Sequence, residues 1–109
     1  MPHLIIEYAQ PLENDLDIQT LAETAFDGAV ASELFTPANI KSRCHPVDAY
    51  WIGGEKQNFI HVNVKLLPGR TEEQKKMLSQ KVFDAIKDFA GDIKTSVEVH
   101  DLPEAYTKG

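Results

Sequence analysis

The sequence predicts an α/β (α+β) fold in which four strands form one mixed sheet and two helices pack on one of its faces. Three observations predict it. Two segments carry apolar residues at the i, i+3, i+4, i+7 spacing of a half-buried helix. Each is flanked by β-prone runs, and a Gly53-Gly54 turn separates the two sets. Sliding Pro2 onto Phe59 also lays Asp15 on Glu72 and Ile40 on Val97, so the order strand, helix, strand occurs twice although few residues match. The 109 residues suit a single domain, 1–109, with an internal pseudo-repeat of about 2–53 and 58–105. A chain of this size buries only about two-thirds of its unfolded surface, which favours oligomerisation.

His3, Leu4, Ile5, Ile6, Glu7 and Tyr8 make a nearly continuous β-prone run, the pattern of a strand covered on both faces, which ends by Pro11. Asn14-Asp15-Leu16-Asp17 then offers N-caps and carboxylates suited to the positive end of a helix. Ile18, Leu21, Ala22, Ala25, Phe26 and Ala29 form that helix's apolar stripe, and Thr36-Pro37 stops it. A strand is predicted from about Ile40 to Ile52, bent at Pro46. In the second half Ile60, Val62, Val64 and Leu66 alternate with Phe59, His61, Asn63 and Lys65, the period of a strand with two distinct faces. Pro68-Gly69 breaks it, Thr71 and Gln74 have capping-box spacing, and Leu78, Val82, Ala85, Ile86 and Phe89 make the second helical stripe. Gly91 is a C-terminal stop, and Val97 and Val99 alternate through a last strand. Right-handed crossovers make the strands of each unit parallel, and a hairpin at Gly53-Gly54 joins the units. Apolar residues on both sides of the strands predict that other subunits cover the open sheet face.

Lys and Arg number 11 against 17 Asp and Glu, a formal charge of −6, whereas binding dominated by phosphate neutralisation needs a basic face. Nucleic acid is excluded as a principal partner, although a small anion can still be held where a few cations converge. Hydrophobic residues at 42% and charged residues at 26% exclude a disordered or collagenous chain. No apolar stretch approaches the about 20 residues that cross a bilayer, and no secretory signal pattern opens the chain, so no membrane association is expected. Cys44 stands alone, without an internal disulfide partner or zinc-type Cys/His spacing. A reducing, cytoplasmic setting follows.

The most informative position is Pro2. An initiator Met is removed when a small residue follows, so the mature chain is expected to begin with a proline whose nitrogen is a secondary amine. Burial and nearby cations both disfavour the protonated amine, which makes it a competent general base near pH 7. The dipeptide alone is weak evidence, since many chains open Met-Pro with no catalytic consequence. Lys41 and Arg43 alternate on one strand with Ser42 between them, so their side chains share a face. Arg70 stands between a strand end and a helix start, where its fork can clamp a carboxylate. Each cation alone reads as a solvated surface residue; together, in an acidic chain, they form a candidate anion site. His45 and His61 are expected to hydrogen-bond within the structure, His3 to orient the candidate base, and His100 to lie on the surface. Tyr50, Trp51 and Phe59 are candidates to wall an apolar pocket, and Cys44 reads as a small buried hydrophobe rather than a nucleophile.

MPHLIIEY at the start, IKSRCHPVDAYWIGG in the middle and FIHVNVKLLPGRTEEQKK beyond it resemble the 5-carboxymethyl-2-hydroxymuconate isomerase family of the tautomerase superfamily. The resemblance spans nearly the whole chain. It implies a tautomerase-like subunit of tandem β-α-β units, assembly as a homotrimer, and no metal or organic cofactor. It further implies an isomerase of aromatic-compound catabolism that acts on a 2-hydroxymuconate-type dienol carboxylate. Pro2 would carry the proton, Arg70 would bind a carboxylate or polarise a carbonyl, and Lys41 and Arg43 would be substrate-binding. Lys41 stands where these isomerases carry arginine, which keeps the charge but not the bidentate fork. The family's chains also run on past the position matched by Gly109. The competing reading is a non-catalytic trimer of the same fold that binds a small carboxylate or a protein. RNA-binding and regulatory modules share the layer architecture but not the charge.

Overall fold

The computed structural model describes residues Met1–Gly109. Strand β1 (Pro2–Ala9) leads through a 3-10 turn (Gln10–Asn14) to helix α1 (Ile18–Ala31), and the chain returns as β2 (Lys41–Val47). Strand β3 (Phe59–Leu66), helix α2 (Glu72–Ala90) and strand β4 (Lys94–Asp101) follow. The sheet order is β2-β1-β3-β4. β1 runs parallel to β2 and antiparallel to β3, and β3 runs parallel to β4, so the sheet is mixed as the sequence predicts.

Both helices cover one face. Leu4, Ile6 and Tyr8 of β1 and Ile60, Val62, Val64 and Leu66 of β3 point into that layer and meet Leu21, Ala25, Ala29, Leu78, Val82 and Ile86. A fully buried Leu or Ile contributes about 1.5–3 kcal/mol. Surface pairs such as half-buried Lys75 with exposed Glu72 contribute about 0–1 kcal/mol, so apolar burial holds the layers together. Asp17 caps α1 by accepting from the backbone N–H groups of Gln19 and Thr20, and Thr71 and Gln74 form the full reciprocal capping box on α2. Gly91 ends α2 at φ 65°, a value that favours glycine.

Four expectations are corrected. α1 ends at Ala31, before Thr36-Pro37, and Pro37 instead opens a short 3-10 turn. β2 ends at Val47 rather than near Ile52, because the chain bends at Asp48-Ala49; Pro46 is tolerated since β2 is an edge strand. The Gly53-Gly54 turn exists, closed by an Ile52–Glu55 bridge, but it does not pair the two halves, because β1 lies between β2 and β3. The open sheet face is also more polar than β1 alone suggests. Register places His3, Glu7, Lys41, Arg43, His45, His61, Asn63, Lys65 and Glu98 there, with Ile5, Ala9, Val47 and Phe59 as apolar exceptions.

The helices pack backbone to backbone at Gly28. A Cβ built there would lie 2.8 Å from Val82 Cα and 3.0 Å from the Lys81 carbonyl oxygen, both backbone atoms that cannot swing aside. Gly28→Val should therefore cost about 1–3 kcal/mol by overpacking, despite valine's better helix propensity. A lowered urea midpoint with an unchanged slope is the expected result; an equal or higher midpoint would contradict the close approach.

Candidate active site

Strand pairing gathers the site at one end of the sheet. The parallel pair His3↔Lys41 sets the start of β2 beside the start of β1. The antiparallel pair Pro2↔Leu66 sets the end of β3, and the loop that carries Arg70, against the same chain start. β4 finishes there too, with Asp101 opposite Leu66, so the following tail crosses this end. Pro2 itself is fully buried.

A cavity of about 240 Å³ opens beside Met1, lined by Leu34, Phe35, Thr36, Leu67, Arg70 and Lys108 among others. The Arg70 guanidinium donates to the Leu34 carbonyl oxygen at 2.7 Å and lies 5.3 Å from the centre of the Phe35 ring. These contacts fix the fork while leaving further N–H groups for a ligand. Lys41 lies on the open sheet face and is exposed, and its Nζ reaches Met1 Sδ at 3.5 Å. The two cations thus flank the chain start from different sides.

Arg43 does not line this cavity. It shares the open face with Lys41, as i and i+2 spacing requires, and donates from Nη1 to His3 Nδ1 at 3.2 Å. His3 Nε2 lies 2.7 Å from Tyr106 Oη, and the two rings meet edge to face. The tail residues Tyr106 and Lys108 are the members of the site that the sequence did not reveal. The signal was faint: one aromatic and one cation in a short polar tail.

Electrostatics follow from this crowding. The amine of Met1 is held below the ordinary α-amino range by burial first, then by Lys41, Lys108 and Arg70. The His3 imidazole is likewise lowered, by burial first and then by Arg43 and Lys41, so it is neutral at pH 7. An amine at this end of the chain is pushed toward its basic, uncharged form. With Met1 attached, however, the nitrogen of Pro2 is an amide and carries no proton.

Other expected positions lie elsewhere. His61 bonds to Ser96 Oγ at 2.6 Å and to Glu98 Oε2 at 2.5 Å, and exposed His100 also bonds Glu98. Those partners, His100 first, hold the Glu98 carboxyl below its usual range. His45 is exposed on the edge strand rather than bonded within the structure, and no His, Cys, Asp or Glu side chains converge in a metal-holding group. Trp51 is 71% exposed and walls nothing, whereas Tyr50 and Phe59 meet edge to face at 5.3 Å.

The four-stranded mixed sheet with two helices on one face is a tautomerase-like fold. The model of the 5-carboxymethyl-2-hydroxymuconate isomerase family matches residues 2–102, and the chain belongs to that family. It is an enzyme of the isomerase class. The 5-carboxymethyl-2-hydroxymuconate Delta-isomerase of Escherichia coli is 27% identical over 89 residues, covering 80% of this chain and 71% of its own. A crystal structure of a 5-carboxymethyl-2-hydroxymuconate delta-isomerase superposes with a TM-score of 0.84 at 19% identity, covering 100% of this chain and 87% of that one. A wild-type fused 4-OT solved as a symmetric trimer superposes at 0.77 with 22% identity, over 96% and 89% of the two chains.

Cys44, by contrast, is turned into the helix layer, where burial pushes its thiol up to about 11. Below pH 9 its thiolate fraction should be roughly a hundredfold under that of an ordinary cysteine, at tenfold per pH unit. Iodoacetamide should accordingly label the folded protein at pH 8 about a hundredfold more slowly than free cysteine. Labelling at the free-thiol rate would contradict this placement.

Proposed function

We propose that the chain, once freed of Met1, catalyses the cofactor-independent tautomerisation of a 2-hydroxymuconate-type dienol carboxylate, with Pro2 as the proton carrier. The secondary amine takes the enol proton: an O–H bond breaks, an N–H bond forms, and the electron pair closes a carbonyl. The conjugated chain then takes the proton back at carbon, restoring the neutral amine. Arg70 pairs with a carboxylate or supports charge that builds on the carbonyl oxygen, and Lys41 and Arg43 extend the positive field toward the open face. The observation that carries this reading is geometric: Pro2 is fully buried at the sheet end where Arg70 lines the adjoining cavity and Lys41 reaches the chain start.

The working unit is a homotrimer in the cytoplasm, acting in aromatic-compound breakdown. Its assembly is supported by Ile5 and Phe59, apolar side chains on a face that a second copy would cover. No helix is long and apolar enough to cross a membrane. The carboxylates among the open-face cations, in a chain of charge −6, speak against nucleic acid as a partner. A second reading is a non-catalytic trimer of the same fold that binds a small carboxylate or a protein and needs no free Pro2 nitrogen.

Intact mass of the purified protein, which reports whether the chain starts at Met1 or Pro2, separates the two readings when taken together with an absorbance assay of turnover. In protein that starts at Pro2, ultraviolet absorbance should follow conversion of 2-hydroxymuconate. Pro2→Ala should lower kcat/KM by about 10²–10⁴, the usual worth of a positioned acid–base group. Undiminished turnover in that variant would refute the mechanism.

A further inference from the structure

The hydrogen bonds beside Met1 have a direction that the reaction above does not use. Arg43 Nη1 lies 3.2 Å from His3 Nδ1. A guanidinium only donates, so Nδ1 accepts and the proton of the neutral imidazole sits on Nε2. His3 Nε2 is 2.7 Å from Tyr106 Oη, so the imidazole donates and the phenol oxygen accepts. The phenol's own proton is then directed onward, and Tyr106 Oη donates to Met1 Sδ at 3.1 Å. Lys41 Nζ donates to the same sulfur at 3.5 Å.

Two donors, one of them cationic, therefore converge on a thioether, which is a weak acceptor. An anionic oxygen matches that convergence far better. Lysine offers a point charge without a planar pair of donors, and the phenol supplies the second, directed one. Its direction is held from behind by the Arg43–His3 chain and by the edge-to-face packing of the His3 and Tyr106 rings, 5.8 Å apart at 79°. Donation along such a chain also strengthens the last donor.

We propose that Tyr106 Oη and Lys41 Nζ form a two-donor site for one carboxylate oxygen of the substrate, at the position Met1 Sδ marks, with His3 and Arg43 as positioning residues behind the phenol. The site rests on the proposed function in that its ligand is a small carboxylate entering beside Pro2. It also binds carboxylates that do not react, so it can be tested apart from turnover.

The experiment uses protein that mass spectrometry shows to begin at Pro2. Calorimetry measures binding of cis,cis-muconate, and absorbance follows 2-hydroxymuconate turnover. Tyr106→Phe should weaken muconate binding and lower kcat/KM by about 10- to 100-fold, chiefly through KM, as expected when a hydrogen bond to a charged group is lost. His3→Leu should give a similar loss, His3→Gln should recover part of it because its amide N–H can still donate, and Tyr106→Phe with His3→Leu should lose no more than either alone. Unchanged muconate affinity in Tyr106→Phe, or no muconate binding by the parent protein, overturns the site. Loss of turnover in Pro2→Ala alongside unchanged Tyr106→Phe would overturn the site and leave the tautomerase reading intact. Weakened muconate binding in Tyr106→Phe without turnover by any variant would support the site and overturn that reading.

Discussion

The pairing of β1 on both of its edges is the constraint on which the rest of the molecule depends. A parallel neighbour on one side and an antiparallel neighbour on the other bring the start of β2 and the end of β3 to the same end of the sheet. Arg70 and Lys41 lie far apart in sequence and flank one chain start for that reason alone. A slip of one residue in either register would turn Pro2, Leu4 and Ile6 out of the helix layer and onto the open face. The apolar alternation of β1 and β3 therefore fixes the site as well as the core. The edge-strand position of β2 matters too, because it leaves Lys41 and Arg43 exposed beside His3 rather than enclosed by a further strand.

Electrostatics complete what topology begins. The chain is acidic overall, yet Lys41, Lys108 and Arg70 all act on the amine at its start. Burial and like charge push that amine in the same direction, so neither has to be extreme. The same pair of causes keeps His3 uncharged, which allows it to accept from Arg43 and donate to Tyr106. A protonated His3 would have no acceptor to offer Arg43, and the two cations would repel. Because its proton affinity is lowered in the folded protein, the arrangement is complete above pH 6.5 and is lost as pH falls through the lowered value.

Much of this was legible from residues alone, and the failures have physical causes. The Thr71–Gln74 capping box and both helical stripes follow from local spacing, which tertiary structure did not override. The end of β2 was not legible, because the segment from Ile40 to Ile52 reads as β-prone throughout and the bend depends on an edge position that no local pattern encodes. The open face was misjudged from the Leu4-Ile5-Ile6 run: pleating sends only Ile5 outward, beside His61, Asn63 and Lys65 of the neighbouring strand. Arg70 and Lys41 stood out as cations in an acidic chain, and the family resemblance named their roles. Tyr106 and Lys108 did not, because the path of a short polar tail after β4 is set by what it meets across the sheet end, not by periodicity.

The central claim is that the sheet end lowers the proton affinity of an amine at the head of β1, by burial and by the cations gathered there. A ¹⁵N NMR titration of the Pro2 amine, in protein lacking Met1, tests it most directly. The account predicts a midpoint below that of the same prolyl amine in the urea-unfolded chain. A midpoint equal to or above the unfolded value would contradict it.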